Sequence, residues 1–129
     1  MEERFLIDTN IIIYYLSGKI PDSHLNKINQ ILEKSFNIST ITKVEILGWH
    51  KIPNAEKLKI ESFIKQANVI YIDEFIEDKA ISVKQKYKTA IPDAIIGATA
   101  LVNNYTIVTR NVSDFKKIKN LNVYNPFES

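Results

Sequence analysis

The 129-residue sequence contains no cysteine, and this absence excludes several classes of protein. Without cysteine the chain has no disulfide scaffold, no thiolate nucleophile and no cysteine-ligated zinc site. The two histidines, His24 and His50, are far apart and do not form the spacing of a histidine zinc site. The three glycines form neither a GxGxxG motif nor a phosphate-binding loop. Any chemistry must therefore come from other side-chain types.

Long apolar runs and a strong charge imbalance are absent as well. No apolar run approaches the roughly 20 residues that cross a bilayer. The first residues, MEERFLID, lack the pattern of a signal peptide, so we expect a cytoplasmic protein. The net charge of +2 permits nucleic-acid binding without indicating it. The length and the 45% apolar content predict a single globular domain over residues 1–129.

Short apolar runs alternate with longer segments of helical periodicity. The apolar runs predict strands at residues 4–7, 36–39, 69–72 and 105–109, with a shorter fifth strand at 123–124. The other segments predict helices at 10–16, 22–34, through 44–49, and at 55–67, 73–88 and 91–102. Within 73–88, the side chains predicted to face the core are Phe75, Ile76, Ala80, Ile81 and Val83. Trp49 is expected to pack in the core. This alternation favours a three-layer α/β/α sandwich around a mainly parallel sheet of four to five strands.

Four acids lie where such a sheet places its functional sites, beyond the carboxyl ends of the strands. They are Asp8, Glu45, Asp93 and Asp114. Each also has a structural explanation. Asp8 and Asp114 are suitable N-caps for the helices that follow them. Glu45 ends a capping-box pattern, Thr42-Lys43-Val44-Glu45, and Asp93 follows Pro92 in a first helical turn, where a carboxylate complements the helix dipole.

Taken together, the four acids indicate more than four separate caps. Carboxylates gathered at one edge repel one another and raise each other's pKa. Arg110 is the only basic residue near them in sequence that is suited to neutralise them. A divalent cation resolves this repulsion, and oxygen ligands favour Mg²⁺ or Mn²⁺ over zinc.

The segments that carry these acids resemble the four motifs of PIN-domain ribonucleases, and most closely the VapC-type toxins of VapBC toxin–antitoxin pairs. The four segments are Asp8-Thr9-Asn10, TKVEI at residues 42–46, Pro92-Asp93-Ala94, and TRNVSDF at residues 109–115. The resemblance implies a metal-dependent endoribonuclease that leaves a 5′-phosphate and a 3′-hydroxyl. It also implies a homodimer and a small antitoxin partner whose C-terminal segment covers the active site.

The resemblance also assigns roles to individual residues. It implies that Asp8, Glu45 and Asp93 are the core ligands of one or two Mg²⁺ or Mn²⁺ ions. Asp114 is the better candidate for the fourth acid, because the earlier acidic position of that motif is Asn111 here. The polar motif residues that support these acids are Thr9, Asn10, Thr109 and Asn111.

Two other functions stay open at this point. One is a phosphohydrolase of the haloacid-dehalogenase type that uses Asp8, although Asn10 stands where such enzymes have a second acid and Glu45 would have no role. The other is a non-catalytic PIN-like domain that binds RNA or a protein partner. Two lysine-rich stretches, at residues 84–88 and 116–119, are either solvated helix ends or a surface that guides phosphates toward the acids.

Overall fold

The computed structural model describes residues 2–128, and each strand overlaps the apolar run that predicts it. The strands are β1 (Phe5–Ile7), β2 (Asn37–Ser39), β3 (Asn68–Ile70), β4 (Thr106–Val108) and β5 (Val123–Tyr124). Strands β1, β2 and β4 are buried along their whole length. Central strands of a parallel sheet are covered on both faces, which explains why they lack the polar alternation of half-exposed strands.

Seven helices occur within residues 2–128. They are α1 (Thr9–Leu16), α2 (Asp22–Lys34), α3 (Thr40–Leu47), α4 (Asn54–Lys65), α5 (Glu74–Lys86), α6 (Ile91–Asn103) and α7 (Val112–Lys116). Local signals set several starts: the side chain of Asp73 accepts a hydrogen bond from the Ile76 amide at 2.9 Å, and Pro92 occupies the first turn of α6. Over the described range, no helix has the length and apolar content to cross a membrane.

All five strands are parallel, in the order β3-β2-β1-β4-β5. Strands β2 and β3 lie on one side of β1, and strands β4 and β5 lie on its other side. The strand order therefore reverses between β1 and β4, where Ile7 pairs with Val108 at the carboxyl ends. Such a switch point opens a crevice beyond the strand ends, which is the usual place for a site in an α/β sheet.

The core has two main parts, one on each face of the sheet. Phe5 and Ile7 of β1 belong to a cluster with α1, α2 and α4, whereas Leu6 belongs to a cluster with α6 and α7. Successive strand residues point to opposite faces, so this division shows that helices cover both sides. The predicted three-layer α/β/α sandwich is confirmed.

Three expectations about packing are wrong. Phe75 and Ile81 are 73% and 51% exposed, because α5 buries only the narrower stripe of Ile76, Ala80 and Val83. Trp49 is 46% exposed, because α3 ends at Leu47 and the tryptophan lies in the loop beyond it.

Candidate active site at the carboxyl edge of the sheet

Asp8 lies at the switch point, one residue beyond β1. Its backbone amide donates to the Val108 carbonyl at 3.0 Å, which continues the pairing of β1 with β4 past the strand end. The Asp8 carboxylate accepts from the Thr9 amide at 2.8 Å, so Asp8 is the N-cap of α1, as predicted. Its other oxygen, Oδ2, accepts from the Thr109 hydroxyl at 2.7 Å across the crevice. Asp8 is only 6% exposed, and its carboxylate caps α1 while it also accepts a hydrogen bond from across the crevice.

Thr109 and Asn10 both donate hydrogen bonds to the Asp8 carboxylate. The Thr109 hydroxyl accepts from the Asn111 amide at 2.9 Å while it donates to Asp8. The Asn10 side-chain amide donates to Asp8 Oδ2 at 3.4 Å, and its oxygen accepts from the Arg110 amide at 3.4 Å. The chain segments after β1 and after β4 are therefore joined through polar side chains.

Glu45 lies on α3 and is not part of a capping box. The N-cap of α3 is Ser39, whose hydroxyl accepts from the Ile41 amide at 3.0 Å, so Thr42 lies inside the helix. The capping role considered for Glu45 is wrong, because the helix begins earlier than the Thr42-x-x-Glu45 pattern suggests. Glu45 instead reaches α1, where its Oε1 lies 2.6 Å from the Thr9 hydroxyl.

Thr42 is a functional candidate that the sequence analysis did not single out. Its side chain is fully buried, and its hydroxyl lies 3.1 Å from that of Thr9. A hydroxyl has one proton, and a carboxylate only accepts. We therefore assign the Thr9 proton to Glu45 and the Thr42 proton to Thr9. The available signal was the position of Thr42 three residues before Glu45, which is nearly one helical turn.

Asp93 and Asp114 complete the acidic edge. Asp93 is half-buried in the first turn of α6, where its carboxylate also complements the helix dipole. Asp114 is not the N-cap of α7, since Asn111 occupies that position. The Asn111 side chain donates to Asp114 Oδ2 at 2.8 Å. Asn111 occupies the position where the resemblance implies an acid, and its amide orients the carboxylate of Asp114.

The charges of the four acids interact, and Asp93 takes part in the interaction with each of the others. Burial raises the pKa of Asp8, and the charges of Asp93 and Glu45 raise it further, against the hydrogen bonds from Thr109 and Thr9. Burial also raises the pKa of Asp93, with added repulsion from Asp114 and Glu45. Asp93 thus interacts with each of the other three acids, and within residues 2–128 its carboxylate alone among the four accepts no hydrogen bond.

Cations of the protein only partly offset this negative charge. The Lys117 ammonium lowers the pKa of Asp93, although by less than burial and the neighbouring acids raise it. Arg110, the only candidate for neutralising the acids that the sequence offered nearby, directs its guanidinium onto the Phe127 ring, 4.3 Å from the centroid. The carboxylates therefore keep a net negative potential at the edge of the sheet.

The donor set fits a hard divalent cation, although the side chains do not form a closed ligand shell. In the part of the chain that the structure describes, no group of three or more His, Cys, Asp or Glu side chains is arranged to hold a metal ion. The donors are nevertheless carboxylate oxygens on four converging segments, and neutral groups hold Glu45 and Asp114. Oxygen-only donors with uncompensated charge are suited to Mg²⁺ or Mn²⁺.

Comparison with known proteins agrees with this geometry. The family model described as the PIN domain matches residues 5–121. Ribonuclease VapC1 of Rickettsia felis is 31% identical over 129 residues, and the match covers 92% of each chain. The range matched by the family model includes all four acidic segments.

Two solved structures are similar in fold as well as in sequence. A toxin–antitoxin complex from Klebsiella pneumoniae contains a chain that is 32% identical, with a TM-score of 0.75; the match covers 96% of this chain and 98% of that one. VapBC2 from Rickettsia felis, bound to a DNA fragment from its promoter, contains a chain that is 25% identical, with a TM-score of 0.74 and coverage of 94% and 97%.

Proposed function

This chain belongs to the PIN domain family, and on that premise we propose that it is an endoribonuclease that depends on Mg²⁺ or Mn²⁺. Asp8, Glu45, Asp93 and Asp114 would hold one or two ions, and residues 1–129 would form a single nuclease domain. The observation that carries the proposal is the position of Asp93, whose carboxylate is within the electrostatic influence of the other three acids. Four uncompensated carboxylates are costly for the protein alone and become useful when a cation binds them.

Each residue has a defined part in this proposal. Asp8 is the most firmly held acid, since Thr109 and the Thr9 amide fix its two oxygens. The Thr9 hydroxyl orients Glu45, and Asn111 orients Asp114. When bound, the ions would lower the pKa of the attacking water and stabilise the charge on the leaving oxygen.

The proposed reaction is hydrolysis of an RNA phosphodiester. Water oxygen forms a new bond to phosphorus, the bond from phosphorus to the 3′-oxygen breaks, and a water proton is transferred to that 3′-oxygen. The products are a 5′-phosphate and a 3′-hydroxyl. Neither histidine takes part, since His24 is bound to Tyr124 and the Glu128 carbonyl, and His50 is exposed in the loop after α3.

We further propose that the chain is the toxin of a type II toxin–antitoxin pair, acting in the cytoplasm as a homodimer with a small antitoxin as its partner. The relative named Ribonuclease VapC1 and the neighbouring structures, described as a toxin–antitoxin complex and as VapBC2, support this role. The same similarities favour a nuclease over the phosphohydrolase of the haloacid-dehalogenase type. Measurement of RNA cleavage by the wild-type protein distinguishes a nuclease from a non-catalytic PIN-like domain.

The decisive experiment compares wild type with Asp93→Asn. We expect RNA cleavage to need added Mg²⁺ or Mn²⁺, to stop with EDTA, and to fall by about 100-fold or more in the variant. Calorimetric titration with Mn²⁺ in the absence of RNA should show weaker binding by the variant. Asp78→Asn is the matched control, because it removes an exposed acid of α5. Wild-type cleavage by Asp93→Asn would refute the site, and no cleavage by wild type would indicate a binding domain.

The toxin role has its own test. Expression of the chain should stop bacterial growth, and expression of Asp93→Asn should not. Co-expression of a small protein encoded immediately upstream should restore growth. Growth that continues with an active nuclease would point to a role in ordinary RNA metabolism.

A further inference from the structure

Two segments of the chain carry lysines and no acids. Residues 79–92 and 115–127 together contain seven basic side chains, out of 17 basic and 15 acidic side chains in the whole sequence. Their exposed lysines near the active site are Lys84, Lys86, Lys88, Lys116, Lys117 and Lys119. We refer to these six side chains as the basic surface.

The fold joins the two segments, although about 30 residues separate them. The Lys119 amide donates to the Tyr87 hydroxyl at 3.1 Å, and the Lys117 ammonium donates to the Lys88 carbonyl. Tyr87 also packs against the core cluster that contains Ile118. The two lysine segments therefore adjoin in the fold, rather than forming two separate solvated helix ends.

This surface adjoins the acids. Residues 87–90 lead directly into α6, whose first turn carries Asp93. The Lys84 and Lys117 ammonium groups donate to the Thr89 and Lys88 carbonyls of this segment. Lys117 is near enough to lower the pKa of Asp93. A polyanion that lies along the basic surface would therefore extend to the acidic edge.

We propose that the basic surface binds the RNA backbone and directs it to Asp93, an inference that rests on the proposed ribonuclease function. An acidic edge repels RNA, so a nuclease with this site needs adjacent positive charge to hold its substrate. Lysines are flexible point charges that contact phosphates without reading sequence. The basic surface contains no arginine, so its contacts with phosphates are those of point charges rather than bidentate pairs. RNA is the occupant that this surface fits, because it leads to an acidic edge proposed to cleave a phosphodiester backbone.

The test removes four charges and leaves the contacts of the loop intact. The variant changes Lys86, Lys88, Lys116 and Lys119 to Gln, and it keeps Lys84 and Lys117, whose ammonium groups hold the loop. The matched control changes Lys51, Lys57, Lys59 and Lys65 to Gln, which removes the same charge from exposed positions on and before α4. Thermal melting checks that both proteins fold.

The measurement is the affinity for a fluorescent single-stranded RNA, determined in EDTA so that no cleavage occurs, over a series of salt concentrations. We expect the variant to bind about 10- to 100-fold more weakly, with a salt-dependence slope that is smaller by about 3. The control should stay within about threefold of wild type.

Different results would overturn RNA binding by the basic surface and the proposed ribonuclease function. Equal weakening of the variant and the control, or none in either, would overturn the basic surface even if wild type cleaves RNA. RNA that binds through these lysines but is never cleaved would overturn the nuclease and keep the surface. Unchanged RNA affinity, with lost binding of a polyglutamate peptide, would assign the surface to an acidic protein and overturn the proposal.

Discussion

The two ends of the sheet use polar residues in opposite ways. At the amino ends of the strands, Asn37 donates to the Phe5 carbonyl at 2.9 Å and accepts from Asn68 at 2.9 Å. The Thr106 hydroxyl donates to Glu3 at 2.8 Å. At the carboxyl ends, the charges of four acids interact, and burial and repulsion raise the pKa of Asp8 and Asp93.

The polar groups at the amino ends hold the structure together, whereas the acids at the carboxyl ends are the ones proposed to take part in chemistry. An open depression of about 1370 Å³ lies at the amino ends, lined by residues that include Asn37, Asn68 and Thr106. Its buried polar groups are satisfied by their neighbours, so they stabilise the strand ends. The carboxyl edge keeps carboxylates whose charge the protein only partly offsets. Carboxylates with a raised pKa, rather than the size of a depression, therefore mark the proposed active site.

The largest expected effect comes from a change at the carboxyl end. Asp8→Asn should reduce RNA cleavage by about 100-fold or more, because it removes the most firmly held carboxylate. The protein should still fold, since an amide fits the space and keeps an oxygen for Thr109. Cleavage and melting are measured together, with Asp22→Asn as the control on an exposed acid. An active Asp8→Asn protein would contradict the metal site.

A change at the amino ends of the strands should lower the stability of the protein and leave RNA cleavage unchanged. Asn37→Ala removes a buried side chain, 8% exposed, that satisfies the Phe5 carbonyl and Asn68. We expect the free energy of unfolding to fall by about 2 kcal/mol, measured by urea denaturation. Cleavage per folded molecule should not change. Asn26→Ala, on the exposed side of α2, is the control. If folded Asn37→Ala no longer cleaves RNA, the polar residues at the amino ends of the strands have more than a structural role.

A smaller effect is expected for the buried threonine behind Glu45. Thr42→Val keeps the shape of the side chain but removes the hydroxyl next to Thr9. We expect cleavage to fall by about 10-fold and Mn²⁺ to bind more weakly, because Glu45 loses orientation. Thr42→Ser should restore both, since it keeps the hydroxyl. If Val and Ser behave alike, Thr42 is a packing residue and does not position Glu45.

The smallest effect is on the stability of the metal-free protein. Because burial raises the pKa of Asp8 and Asp93 above 3.8, the folded protein binds protons that the unfolded chain has released. This contribution to stability is present below the ordinary pKa and is lost as pH rises through the raised values. Asp93→Asn should therefore raise the melting temperature at neutral pH by a few degrees. Added Mg²⁺ should stabilise wild type more than the variant, and an equal response would argue against binding at Asp93.

The order of secondary structure was predictable because it depends on local patterns. The five apolar runs gave five strands, and Asp73 and Pro92 marked the starts of α5 and α6. The predictions were wrong where one local sequence pattern is compatible with two different structures. The Thr42-x-x-Glu45 pattern predicted a cap, but Ser39 had already started α3. Phe75 and Ile81 fit a broad apolar face, but contact between α5 and α6 buries a narrower one.

The sequence by itself determined the four acids and the edge of the sheet near which they were expected, because strand periodicity and the parallel arrangement bring the carboxyl ends of the strands to one edge. Only the tertiary structure decided which groups hold the acids. The links from Thr42 through Thr9 to Glu45, and from Thr109 to Asp8, join residues 33 to 101 positions apart. The pairing of the two lysine segments is equally non-local. Such contacts depend on how the helices pack, and no short sequence pattern records them.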